Sequence, residues 1–142
     1  MRWRGHSGGD GVTSRGHPRL LSEGADHRSL KAWQEANVVA RGVIGLSRVH
    51  WRRYGAAVIG QLQRSSLSAQ LNIAEGFAYG NSPTYTGFLG IAYGSAVETI
   101  ELLELAAGTR IFPPEFVTDL LAHAIGARNC LLALLKHRRR FS

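Results

Sequence analysis

From residue 29 onward the apolar side chains recur at intervals of three and four, the spacing that gathers residues onto one face of an α-helix. Leu30, Trp33, Ala36 or Asn37, Ala40, Val43 and Ile44 predict a helix over about 30–49, with Ser29 available as its N-cap. Ile59, Leu62, Ser66, Ala69, Ile73 and Phe77 predict a second over about 56–78. Phe88, Ala92, Ser95, Thr99, Leu102 and Ala106 predict a third over about 83–107, and Phe116, Leu120, Ala124, Ala127, Leu131 and Leu135 a fourth over about 114–138. The breaks between them are written in turn chemistry. Gly80 and Asn81 tolerate the left-handed conformation that ends a helix, Ser82 and Pro83 suit the start of the next, Gly108 ends the third, and Pro113 and Pro114 stiffen the last connection. Four long helices with short connections predict an all-α fold, an antiparallel up-down-up-down four-helix bundle over 29–142.

At 142 residues the chain has room for one such domain, and 44% hydrophobic content with only 8% aromatic points to a core of Leu, Ile, Val and Ala. Residues 1–28 show no helical or strand period. Their Gly and Arg content predicts a flexible basic arm, or an extension added by an early start codon. Cys130 is the single cysteine, so no disulfide framework exists and a reducing, cytoplasmic setting is expected. The opening residues lack the apolar stretch of an export signal, and the longest unbroken apolar run, Cys130 to Leu135, is far short of the roughly 20 residues that span a bilayer. A soluble protein without a membrane partner is the expectation.

The third and fourth helices carry more apolar residues than one core-facing stripe needs. Leu89, Ile91, Ala96 and Leu103 widen the third, and Leu121, Ile125, Leu132 and Leu134 the fourth, which predicts a second buried surface. Gly87, Gly90 and Gly94 lie at i, i+3 and i+7 on the third helix, although each costs about 1 kcal/mol relative to Ala in a helix interior. Close approach of another helix is the simplest compensation, so self-association is expected.

A polar stripe crosses the second helix: Gln61, Arg64 or Ser65, Ser68, Asn72 and Glu75 share a face, and Ser95 and Glu98 stand at a similar level on the third. Arg64 or Asn72 is expected to bond to Glu98, within a network that fixes helix register or serves as a binding surface. Catalysis is not expected there, because no His or Cys accompanies these groups. The carboxylate-bridged di-iron site of some helical bundles needs Glu-x-x-His pairs, and the sequence has none. Glu98, Glu101 and Glu104 read as a solvated acidic face, His50, His123 and His137 as isolated, and no metal, cofactor or catalytic residue is implied.

The basic residues are better organised. The net charge is +7, which favours anionic partners. Arg48, Arg52 and Arg53 surround Trp51 and Tyr54 after the first helix, and Lys136, Arg138, Arg139 and Arg140 close the fourth beside Phe141. In an up-down-up-down bundle these clusters occupy opposite ends. Both suit phosphate contact, and Trp51 and Tyr54 suit base stacking.

The stretch from Gln61 to Phe77, with its Gln-Leu-Gln-Arg opening and its Asn72-Ile73-Ala74-Glu75-Gly76 core, resembles the signature of the bacterial family of proteins encoded in intervening sequences of 23S ribosomal RNA genes. Leu30, Trp33, Gln34 and Ala36 match before it, and Phe88 to Ser95 with Glu98 match after it, so the resemblance covers roughly 30–107. Gln70 departs from the pattern, standing where the family often has Pro or a small residue. The resemblance implies a four-helix protomer that assembles into a homopentamer, kinship with the accessory proteins of diversity-generating retroelements, and no enzymatic activity. The expected function is RNA or DNA binding through basic rims. Its rival is a protein–protein interaction scaffold or accessory subunit for an enzyme encoded nearby.

Overall fold

The computed structural model describes residues 26–140. Most of the basic arm predicted at 1–28, and Phe141 at the other terminus, lie outside the described residues. Four helices follow a short 3-10 turn at His27–Ser29: α1 Lys31–His50, α2 Ala56–Phe77, α3 Pro83–Gly108 and α4 Pro114–Arg140. No strand occurs among the described residues. The connections at 51–55, 78–82 and 109–113 hold five residues each, too few to run back along a helix about 30 Å long, so successive helices are antiparallel. α1 packs on α2, α2 on α3, α3 on α4, and α4 closes the ring against α1.

The termini differ from expectation in instructive ways. Ser29 does not cap α1; it belongs to the 3-10 turn, where its hydroxyl donates to the Asp26 carbonyl (2.7 Å) while Asp26 Oδ1 accepts from the Arg28 amide (2.8 Å). α1 instead starts after Leu30, which offers no side-chain cap. Gly80 is left-handed (φ 63°) as its sequence position suggests, but at the end of α3 the left-handed residue is Arg110 (φ 58°), not Gly108. The reason lies two residues on. The Phe112 amide bonds to the Ala106 carbonyl (3.2 Å) and its ring is fully buried, so core packing holds a conformation that a non-glycine residue otherwise avoids.

Every apolar position in the period named for α2 is buried, and so is every one in the period named for α4 except Phe116, whose place at the core is taken by Val117; Leu121, Ile125, Leu132 and Leu134, which widen the arc of α4, are half-buried. α1 buries Val39, Ala40 and Val43 and leaves Ile44 exposed. On α3 half of the expected seam holds: Ala92, Thr99 and Ala106 are buried, but Leu89, Ala96 and Leu103 join them in the core, whereas Phe88, Ser95 and Leu102 sit at its margin. α3 is apolar nearly all round, so its period does not select a single face, and its neighbours decide. Leu89, Ala96 and Leu103 are thereby satisfied within the protomer and need no second surface. By length and composition α4 would pass for a membrane-crossing helix, yet its Val117, Leu120, Ala124, Ala127, Leu131 and Leu135 line the core.

The core has two apolar clusters. One lies at the end where α1 begins and α4 finishes, around Ile73, Leu89 and Leu131; the other lies at the opposite end, around Val43, Leu62, Leu103 and Phe112. Between them Ala36, Ala69, Ala96, Ala124 and Ala127 meet Ser66 and Thr99 around a gap of about 10 Å³, at the lower limit for one water. Small residues from all four helices form this waist. Gly76 serves the same purpose further along: a Cβ there would lie 2.7 Å from Phe88 Cβ and 2.9 Å from the Tyr85 ring.

Candidate nucleic-acid interface and polar seam

The bundle separates the two basic clusters. At one end the last turn of α1 and the following loop expose Arg48, Trp51, Arg52, Arg53 and Tyr54; Trp51 is 60% and Tyr54 69% accessible. His50 turns inward and packs against Phe112 and Phe116, with ring centroids 6.3 and 6.1 Å away, which fixes where the loop leaves the helix. Gly55, left-handed at φ 86°, lets Ile111 of the α3–α4 connection approach to where a Cβ would lie. That contact brings the 109–113 connection beside the 51–55 connection and adds exposed Arg110 to the same end. Sequence reasoning missed Arg110, although its position in a connection on the same end of an antiparallel bundle was a usable signal.

At the other end the C-terminal cluster is divided. Lys136, Arg139 and Arg140 are exposed, whereas Arg138 is spent on the fold. Its Nε donates to Thr86 Oγ1 (2.6 Å), one terminal nitrogen to Asn81 Oδ1 (3.1 Å), and the other to the Ser82 carbonyl (2.7 Å). The guanidinium also lies over the Tyr85 ring, 4.5 Å from its centroid. Arg138 thus clasps the last turn of α4 to the α2–α3 connection, with donors committed that phosphate contact would require. Burial raises the Tyr85 hydroxyl's pKa above the usual tyrosine value, and the charge of Arg138 draws it part of the way back.

The polar seam between α2 and α3 forms, with partners other than those expected. Glu98 accepts from Gln61 Nε2 (2.5 Å), and Arg64 donates to Gln61 Oε1 through Nε (3.1 Å) and a terminal nitrogen (2.9 Å). Neither Arg64 nor Asn72 bonds to Glu98. Asn72 points back along its own helix, to the Ser68 carbonyl (2.8 Å) and hydroxyl (3.1 Å). Deeper in, Ser68 and Ser95 share a hydrogen bond of 2.7 Å, and the Thr99 hydroxyl lies 2.9 Å from Ser65 Oγ and 2.7 Å from the Ser95 carbonyl. Thr99, assigned to the apolar seam from its spacing, is therefore a buried polar member of the network. Glu75 is exposed and stands outside it. The seam is buried at Ser65 and Thr99, half-buried at Ser68, Asn72 and Ser95, and exposed at Arg64 and Glu98.

Two further polar links tie α1 in. Gln70, the departure from the family pattern, donates to Asn37 Oδ1 (3.0 Å), which also accepts from Arg41 (3.2 Å). His123, isolated in sequence, pairs with Glu35 across α1 and α4 at 2.6 Å. Among the described residues no group of three or more His, Cys, Asp or Glu is placed to hold a metal ion.

The outer face of α3 is open. A Cβ at Gly87, Gly90 or Gly94 would meet nothing within 4 Å, so no helix of the same protomer approaches them. Ile91 (55% accessible), Val97 and Leu105 are exposed on this helix, as are Leu67 and Leu71 on α2.

Compared with known families, the chain matches the family described as 23S rRNA-intervening sequence protein over residues 28–133, a span that takes in α1, α2, α3 and most of α4. No curated protein matches it.

Proposed function

Because the chain belongs to the 23S rRNA-intervening sequence protein family, we propose that it is a non-enzymatic, oligomeric helical protein that binds RNA or DNA through its basic ends. The observation that carries this reading is the solvent-facing group Arg48, Trp51, Arg52, Arg53 and Tyr54, joined by Arg110. Two large aromatic rings held in water among four guanidinium groups serve no packing purpose in the protomer. They suit a polyanion whose bases stack. Lys136, Arg139 and Arg140 provide a second cationic rim at the other end.

Self-association belongs to the same proposal. Three helix-interior glycines on the open face of α3, flanked by exposed Ile91 and Val97, support the close approach of a helix from another copy. Five copies is the number proposed here. An oligomer would repeat each cationic end around its axis and so multiply phosphate contacts without new chemistry.

Fluorescence anisotropy with a short labelled RNA, titrated at several salt concentrations, tests the binding. Each phosphate contact contributes a slope of about −0.7 in log K against log salt for a single strand. Replacing Arg48, Arg52 and Arg53 by Gln should flatten that slope and weaken unrelated sequences alike. An unchanged slope would remove this end from the interface, and light scattering on the same samples reads the number of copies.

A further inference from the structure

The 51–55 and 109–113 connections border an open cleft of about 360 Å³ whose lining includes Arg53, Tyr54, Val58, Leu105, Thr109 and Ile111. Its walls are mainly apolar: Val58 from the first turn of α2, Leu105 from the last turn of α3, and the Ile111 side chain seated against Gly55. Leu105 is 48% accessible, so a large aliphatic side chain faces open space there. The mouth is cationic. Arg53 lines it, Arg52 precedes Arg53 in the chain, and exposed Arg110 sits between the lining residues Thr109 and Ile111.

An apolar slot with an aromatic ring at its side and arginines at its mouth matches a ligand with a flat apolar body and an attached anion. We propose that this cleft takes one unpaired nucleobase, with Tyr54 against its face and Arg53 and Arg110 on the adjoining phosphates, so that the protein prefers single-stranded nucleic acid to duplex. The inference rests on the nucleic-acid reading above and goes beyond it, because phosphate contacts alone do not distinguish strands whose bases are exposed from strands whose bases are paired. The cleft volume falls in the range of small-ligand pockets, and a paired, stacked base has no face to offer it. Net positive charge, with Arg53 as the charged residue among the lining side chains, argues for a polyanion over a neutral apolar ligand.

The test uses three fluorescein-labelled probes on the full chain at low salt: a 12-nucleotide oligouridylate, an abasic phosphodiester strand of the same length and charge, and a 12-base-pair duplex. Stacking of a base on an aromatic side chain predicts that oligouridylate binds roughly tenfold tighter than the abasic strand. Ala57→Phe, at an exposed position lining the cleft, should fill it, and Tyr54→Ala should remove the ring; each should bring the two single strands to within about twofold of one another. Circular dichroism on both variants checks that they remain folded. Equal affinity of the wild-type protein for oligouridylate and the abasic strand would overturn the cleft assignment while leaving charge-driven binding intact, as would an Ala57→Phe protein that keeps the full preference. Failure of all three probes to bind would overturn the nucleic-acid reading along with it. Binding of a polyglutamate peptide as tight as that of oligouridylate would assign this end to an acidic protein partner and overturn the proposal.

Discussion

Replacing Gly76 by Ala sets two effects of known sign against each other. Removing a glycine from a helix interior gains about 1 kcal/mol in backbone entropy. At Gly76, however, the new methyl would lie 2.7 Å from Phe88 Cβ and 2.9 Å from Tyr85 Cδ2, whereas ordinary contact begins near 3.4 Å. Phe88 Cβ is one bond from the backbone and cannot swing away, so α2 and α3 must separate along the contact they share. Overpacking of this kind costs about 1–3 kcal/mol, and the net outcome is destabilisation by about 1 kcal/mol. Gly90→Ala is the control. Nothing lies within 4 Å of its would-be Cβ, so the protomer gains the same backbone entropy with no clash and becomes more stable by about 1 kcal/mol. Urea unfolding followed by circular dichroism at a protein concentration low enough to keep protomers apart would measure both. The two variants should move in opposite directions, about 2 kcal/mol apart, with equal m-values. If Gly76→Ala stabilises as much as Gly90→Ala, steric exclusion is not why glycine occupies position 76. Repeated at high concentration, Gly90→Ala also reports on assembly: the proposed interface predicts a loss of oligomer that the protomer's added stability does not explain.

Arg138→Ala should lower protomer stability by about 1–3 kcal/mol, since it removes hydrogen bonds to Asn81, Ser82 and Thr86 together with the contact over the Tyr85 ring; thermal unfolding reads this, and an unchanged midpoint would mean that the clasp carries no weight. The same loss makes Arg138 a poor probe of nucleic-acid contact, for which exposed Lys136 and Arg140 are better suited. Thr99→Val should cost about 1 kcal/mol by leaving Ser65 without its cross-helix partner, while Ser65→Ala combined with Thr99→Val should be less costly than the sum of the two; a strictly additive cycle would show that the bond contributes nothing. The fold favours the neutral Tyr85 phenol, so its contribution is intact below the ordinary tyrosine pKa of about 10 and is lost as pH rises through the higher folded-state value. Stability should therefore fall in alkali, and fall less in Tyr85→Phe; identical alkaline limbs for the two proteins would refute the assignment.

Four helices, their breaks and the residues facing the core on α2 and α4 were legible from spacing alone, because those helices alternate apolar and polar faces. α3 was legible as a helix but not in its orientation. With apolar residues around nearly its whole circumference, several faces satisfied the period, and contacts from α2 and α4 selected Leu89, Ala96 and Leu103. The basic loop was visible as a cluster. Its companion Arg110 and the cleft between them were not, since they depend on Gly55 admitting Ile111 from a connection more than fifty residues away.

The same division runs through the side-chain chemistry. Charge, the aromatic pair Trp51 and Tyr54, the glycine stripe on α3 and the helix count are properties of local sequence, and the chain carries them whatever its packing. Which of its arginines remain available to a ligand was decided by tertiary structure, because Arg138 stands among similar residues in sequence and only the approach of Asn81, Ser82 and Thr86 commits its donors. Hydrogen-bond partners are chosen by distance in space, and a periodic pattern fixes only the face on which a residue lies.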